Sequence, residues 1–103
     1  MIKSILIAIF FGITTYSSAQ VTTFGRPDCG QWFSMKTTSS QWLLGFLSGL
    51  NSGLASPKKD YLNSLNSADQ AILWMDNYCR NNPLSSVQIG ANTLFEELMK
   101  KTK

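Results

Sequence analysis

The chain has no histidine, only two cysteines and three prolines, and its charged residues make up just 15% of the total. Each shortage closes off some chemistry. Without histidine there is no general base with an ordinary pKa near neutrality and no imidazole metal ligand. Ser–His and Cys–His nucleophile pairs are excluded too. Two cysteines with scattered carboxylates do not supply the four ligands of a tetrahedral zinc site. The six acids are Asp28, Asp60, Asp69, Asp76, Glu96 and Glu97. Of these, Asp69 and Asp76 fall two turns apart on one helix face, and paired carboxylates can run glycoside hydrolysis. Both lie toward the polar side of their helix, where a solvated surface accounts for them. Nothing nearby gives either a reason for a tuned pKa. The residues therefore point to a protein that is not an enzyme and that uses no metal and no cofactor.

Charge of one sign is also scarce. Nine Lys and Arg against six Asp and Glu leave a net +3, and Lys100, Lys101 and Lys103 gather in the C-terminal tail. A basic last turn complements a helix macrodipole, whereas a nucleic-acid surface needs a wider basic stripe. Glycine is not arranged as a phosphate loop: Gly45, Gly49 and Gly53 sit inside a helical pattern with no strand before it.

What is present begins with a leader. Met1-Ile2-Lys3 starts it with a positive charge, Ser4 to Ile13 is uncharged and apolar, and Ser17-Ser18-Ala19 ends in small residues. This is the pattern of a secretory signal peptide over residues 1–19, cleaved after Ala19. The run is shorter than the roughly 20 apolar residues of a membrane span. The expectation is one exported domain, residues 20–103, with no membrane attachment after cleavage. In an oxidising compartment Cys29 and Cys79 read as a disulfide, each the other's only possible intramolecular partner. Two free thiols or an intermolecular bond are the alternatives. Closing that loop stabilises a small core by roughly 4 kcal/mol.

A capping residue followed three positions later by glutamine recurs at Asp28…Gln31, Thr38…Gln41, Ser67…Gln70 and Ser85…Gln88. Each match precedes apolar residues at helical spacing, which predicts an all-α domain. The predicted helices are about Asp28–Lys36, Thr38–Ala55, Ser67–Asn81 and Ser85–Lys101, a small bundle of four stapled by the disulfide. The first buries Cys29, Trp32 and Phe33 on one face. The second buries Trp42, Leu43, Phe46, Leu47, Leu50 and Leu54. The third buries Ala71, Ile72, Met75, Tyr78 and Cys79, with Trp74 at the margin. The fourth buries Val87, Ala91, Leu94, Phe95, Leu98 and Met99. Residues 56–66 form a connector with one helical turn that tucks Tyr61, Leu62 and Leu65 onto the core. Gly45, Gly49 and Gly53 are expected where a neighbouring helix packs closely, since glycine costs about 1 kcal/mol each in helix propensity. Leu44, Leu73 and Ile89 miss the buried stripes. Together with Trp42 and Trp74 they suggest either a subunit interface or packing that wraps further round each helix.

Several of these residues carry a family resemblance. Cys29 and Trp32 are followed by "WLLGFLSGL" at Trp42–Leu50, "WMDNYCRNNP" at Trp74–Pro83 and "GANTLFEEL" at Gly90–Leu98. The Tyr78-Cys79-x-x-x-Pro83 element with its upstream Trp74 is the most specific part. The chain resembles the Rap/Tai family of small periplasmic immunity proteins, which protect bacteria against peptidoglycan amidases delivered by type VI secretion. The resemblance implies an all-α, disulfide-bonded fold, frequent homodimers, no catalysis, and inhibition by plugging an enzyme's cleft. Arg80, Asn81 and Asn82, with Trp74 and Leu73 beside them, are the candidate partner-binding residues, and the 56–66 connector is a second candidate surface. The same layout is similar to the HdeA-like acid-stress chaperones of the periplasm, which expose hydrophobic surface when protonated. Six acids and no histidine fit that switch less well.

Overall fold

A computed structural model describes residues 22–102 of the chain; the leader expected over 1–19 lies outside the described residues. The described residues form four α-helices and a 3-10 turn: α1 Cys29–Ser34, α2 Lys36–Leu54, the turn Tyr61–Ser64, α3 Ala68–Asn81 and α4 Val87–Lys101. Their only β-type pairings are two isolated bridges, one of them Asp28 with Ser86. The all-α fold expected from the capping and apolar patterns is the fold observed.

The core is one cluster in which α4 is the central element, packed against α2, α3 and the 3-10 turn. Trp32, Leu43, Leu47, Met75, Val87 and the two cysteines are its most deeply buried large side chains. Tyr61, Leu62 and Leu65 do pack the connector against this core. Asn51 straps it down, donating from Nδ2 to Asp60 Oδ1 at 2.8 Å and accepting from the Tyr61 backbone N–H at 3.0 Å.

Cys29 and Cys79 form the disulfide, 50 residues apart in sequence. Backbone bonds reinforce it: the Cys29 N–H donates to the Ser85 carbonyl and the Val87 N–H to the Pro27 carbonyl, both at 3.0 Å. The start of α1 is thus fixed to the α3–α4 junction by one covalent and two backbone links. Gly25, just upstream, takes a φ of +71°, a turn conformation that favours glycine.

Three local expectations need correction, and a fourth, left open by the sequence, divides residue by residue. Of the four capping signatures only Asp28…Gln31 forms a full capping box. Thr38 lies inside α2, which begins at Lys36 with no side-chain cap, because the chain passes almost directly from α1 through Met35. Ser67 caps α3 by backbone position only, and the Gln70 side chain accepts instead from the Asn66 N–H at 2.8 Å. Ser86, not Ser85, caps α4, accepting from the Ile89 N–H at 3.2 Å.

Second, Phe33 and Leu54 are not in the core. Phe33 is exposed, and its ring packs against the Lys36 and Arg80 cations, 5.7 and 5.6 Å from its centroid, instead of the core. Leu54 is exposed at the last turn of α2. Third, Gly45, Gly49 and Gly53 do not receive a helix: a Cβ built on any of them meets nothing within 4 Å. The close approach is at Gly90 of α4, where a Cβ would stand 2.7 Å from the Tyr78 ring and 2.8 Å from Met75 sulfur. Fourth, the three stripe-missing residues divide. Leu44 packs partly onto the core, while Leu73 and Ile89 stay exposed.

Candidate functional site

The candidate partner-binding residues gather where α3 ends. Trp74, Asn77, Tyr78, Asn81 and Asn82 line an open hollow of about 320 Å³. Helical spacing makes this wall: positions 74, 77, 78 and 81 recur at three and four residues, so they stack on one face. Trp74 and Tyr78 lie parallel, ring centroids 5.5 Å apart, and form the aromatic part of the lining.

The wall is held rigid from several sides. Cys79, between the lining residues, is locked by the disulfide to α1. Asn82 ends the helix by bonding from its backbone N–H and its Nδ2 to the Tyr78 carbonyl, at 2.8 and 2.9 Å. The next residues make a β-turn closed by the Ser85 N–H on the Asn82 carbonyl at 3.0 Å, with Pro83 at the position whose fixed φ suits it. The Tyr78 hydroxyl pairs with Ser85 Oγ at 2.8 Å across that turn. Leu84, at the turn's tip, is 100% exposed.

Arg80 stands at the edge of the hollow rather than in it. Its Nη1 donates to Asn77 Oδ1 at 3.3 Å, and its guanidinium lies over Phe33. Leu73 does not line the hollow; it is exposed one position round the helix. Of the five candidate residues, then, the structure brings Trp74, Asn81 and Asn82 together, sets Arg80 beside them through Asn77, and leaves Leu73 apart. Sequence reasoning missed Asn77 and Tyr78 as lining residues, although their spacing from Trp74 and Asn81 contains the signal. It also missed Leu84, for which nothing in the pattern marks complete exposure.

Beneath Arg80 lies a second group. Asp76 accepts from the buried Trp32 indole N–H at 2.7 Å and pairs with Lys36 at 2.7 Å, the one ion pair among the described residues. Burial pushes the Asp76 carboxyl up, but hydrogen bonds from Lys36 and Trp32 and the charges of Lys36 and Arg80 outweigh it, so its pKa sits below the ordinary aspartate value. Asp76 is therefore a clasp joining α1, α2 and α3, not the freely solvated surface acid its position suggests.

A separate apolar cleft of about 400 Å³ opens between α2, the 3-10 turn and α3, lined by Leu44, Leu47, Leu62, Leu65 and Ala71 among others. No helix among the described residues is long and apolar enough to cross a membrane. No family model, no curated protein and no solved structure matches the chain.

Proposed function

We propose that this protein is an inhibitory binding protein of the bacterial envelope, occupying the cleft of a cell-wall amidase of the kind delivered by type VI secretion. The observation that carries the reading is the end of α3. An aromatic and amide-lined hollow, a guanidinium at its rim and a fully exposed leucine on a proline turn stand within a few residues of a disulfide. Trp, Tyr and Arg are the residue types that dominate binding energy in protein interfaces. Fixing them on a stapled element lowers the ordering cost of association, which is what an inhibitor that must block an enzyme needs. The periplasm is the proposed compartment, supported by the leader pattern and by the disulfide. A homodimer belongs to the same proposal, with Leu73 and Ile89 as exposed apolar residues available to a second copy.

The acid-chaperone alternative calls for carboxylates that take up protons in mild acid. The chain has only six acids and no histidine for such a switch, which favours the inhibitor. The test is co-expression in the periplasm with type VI amidase effectors, beginning with any encoded beside this gene. Protection from lysis is the expected result; equal lysis with and without this protein defeats the reading.

A further inference from the structure

The chemistry of the hollow says what kind of surface it fits. We propose that the end of α3 recognises an extended, acidic segment of a partner protein, with Arg80 taking a carboxylate and the Asn77–Asn81–Asn82 amides pairing with the segment's main chain. This rests on the reading above that the site binds a protein.

Three observations carry it. First, Arg80 is an exposed cation with no carboxylate paired to it among the described residues. The nearby Asp76 is committed to Lys36 and Trp32. Arg80's own side-chain contacts are a long bond to Asn77 and the face of Phe33, so the guanidinium is held at the rim while keeping donors for an incoming anion. A planar guanidinium binds a carboxylate through two parallel hydrogen bonds, which a single lysine does not reproduce. Second, the hollow's polar lining is made of uncharged amides. An asparagine side chain carries a carbonyl acceptor and N–H donors, the same pair of groups that a peptide bond presents; Asn77 keeps its Nδ2 and Asn82 its Oδ1 beside their internal bonds to Arg80 and the Tyr78 carbonyl. Third, the Trp74–Tyr78 stack gives an apolar floor for one side chain between those polar groups. One cation beside several neutral amides suits a peptide with one or two acids. It does not suit a polyanion, which would need several cations.

The experiment uses the full oxidised protein and three synthetic probes: acetyl-Gly-Asp-Leu-Asp-Gly-amide, the same peptide with asparagine for aspartate, and the same with lysine. Binding is followed by backbone amide, side-chain amide, indole and guanidinium NMR signals. The acidic peptide is expected to move the Trp74 indole and the Asn77, Asn81 and Asn82 amide signals. Arg80→Glu should weaken it at least tenfold, Asn81→Ala should weaken it too, and Lys100→Ala should leave it unchanged. Binding of the asparagine peptide as tightly as the acidic one overturns the proposal. So do shifts confined to Lys100 and Lys101, or the absence of any binding.

The two levels of the claim separate in cells. If the wild-type chain protects against the amidase and Arg80→Glu protects equally well, the acidic-segment proposal falls and the inhibitor reading stands. If the acidic peptide binds at the hollow but no protection is seen, the inhibitor reading falls and this one stands.

Discussion

Asp76 joins three helices through one carboxylate, and its two partners are not equivalent. Trp32 is fully buried, so its indole N–H has no recourse to water, while Lys36 is 40% exposed and can be solvated. Asp76→Ala leaves the indole unpaired and is expected to cost about 1–3 kcal/mol. Asp76→Asn keeps an acceptor for the indole and loses only the ion pair, at about 0–1 kcal/mol. Urea unfolding of both variants at neutral pH gives the comparison. The pH dependence has a fixed sign. Because the folded pKa is lowered, the stabilisation is fully present above the unfolded value of about 3.9 and is lost as pH falls through the folded value beneath it. Asp76→Asn should lack that part of the acid loss, so the gap between wild type and variant narrows below about pH 4. The glycines give an opposite pair of outcomes. Gly90→Ala drives a methyl into Tyr78 and Met75 and should destabilise by about 1–3 kcal/mol. Gly45→Ala and Gly49→Ala meet open space and should each stabilise by about 0.5–1 kcal/mol, read from the same urea curves. At this level the sequence is a poor guide. Gly90 and the regularly spaced Gly45 series look alike as letters, and only the path of the neighbouring helix distinguishes a crowded glycine from an open one. The partners of Asp76 likewise come from α1 and α2, 44 and 40 positions away, beyond any periodic pattern.

The helices themselves were largely readable, because apolar spacing is a property of the local chain. The buried residues of α3 and α4 match their predicted stripes closely, and the connector's one turn forms where Tyr61, Leu62 and Leu65 reach the core. Helix starts were less readable. A Thr or Ser three residues before a glutamine caps a helix only where the chain is not already helical, and at Thr38 it is. This separation is testable by circular dichroism and thermal unfolding. Asp28→Ala and Ser86→Ala should each lower stability by about 1 kcal/mol, since each side chain accepts from an otherwise unpaired backbone N–H. Thr38→Ala, inside α2, should be neutral or mildly stabilising, since alanine is the better helix former. The candidate site was half readable for the same reason. Trp74 and Asn81 share a face by helical spacing and Asn82 follows at the helix end, whereas Leu73, singled out because it misses the buried stripe, is exposed outside the hollow.

Residues 22–102 form a small helical body in which α1 is bolted to the end of α3. Replacing both cysteines, as Cys29→Ala with Cys79→Ala, should cost roughly 4 kcal/mol in denaturant unfolding, since the unfolded chain regains a 50-residue loop. That loss falls where the proposed binding surface is built, so reduction should weaken partner binding even where the helices survive. The pairing was readable from two cysteines in a chain with a leader pattern; which surface the bolt would stiffen was not, because that depends on where α3 stops and the Pro83 turn begins. The most direct measurement is a titration of purified cognate amidase, acting on peptidoglycan, with the oxidised protein. Hydrolysis should be lost with a sharp stoichiometric end-point, and the end-point should weaken for Trp74→Ala and Asn81→Ala. Undiminished hydrolysis at a large molar excess of correctly folded protein would contradict the inhibitor reading.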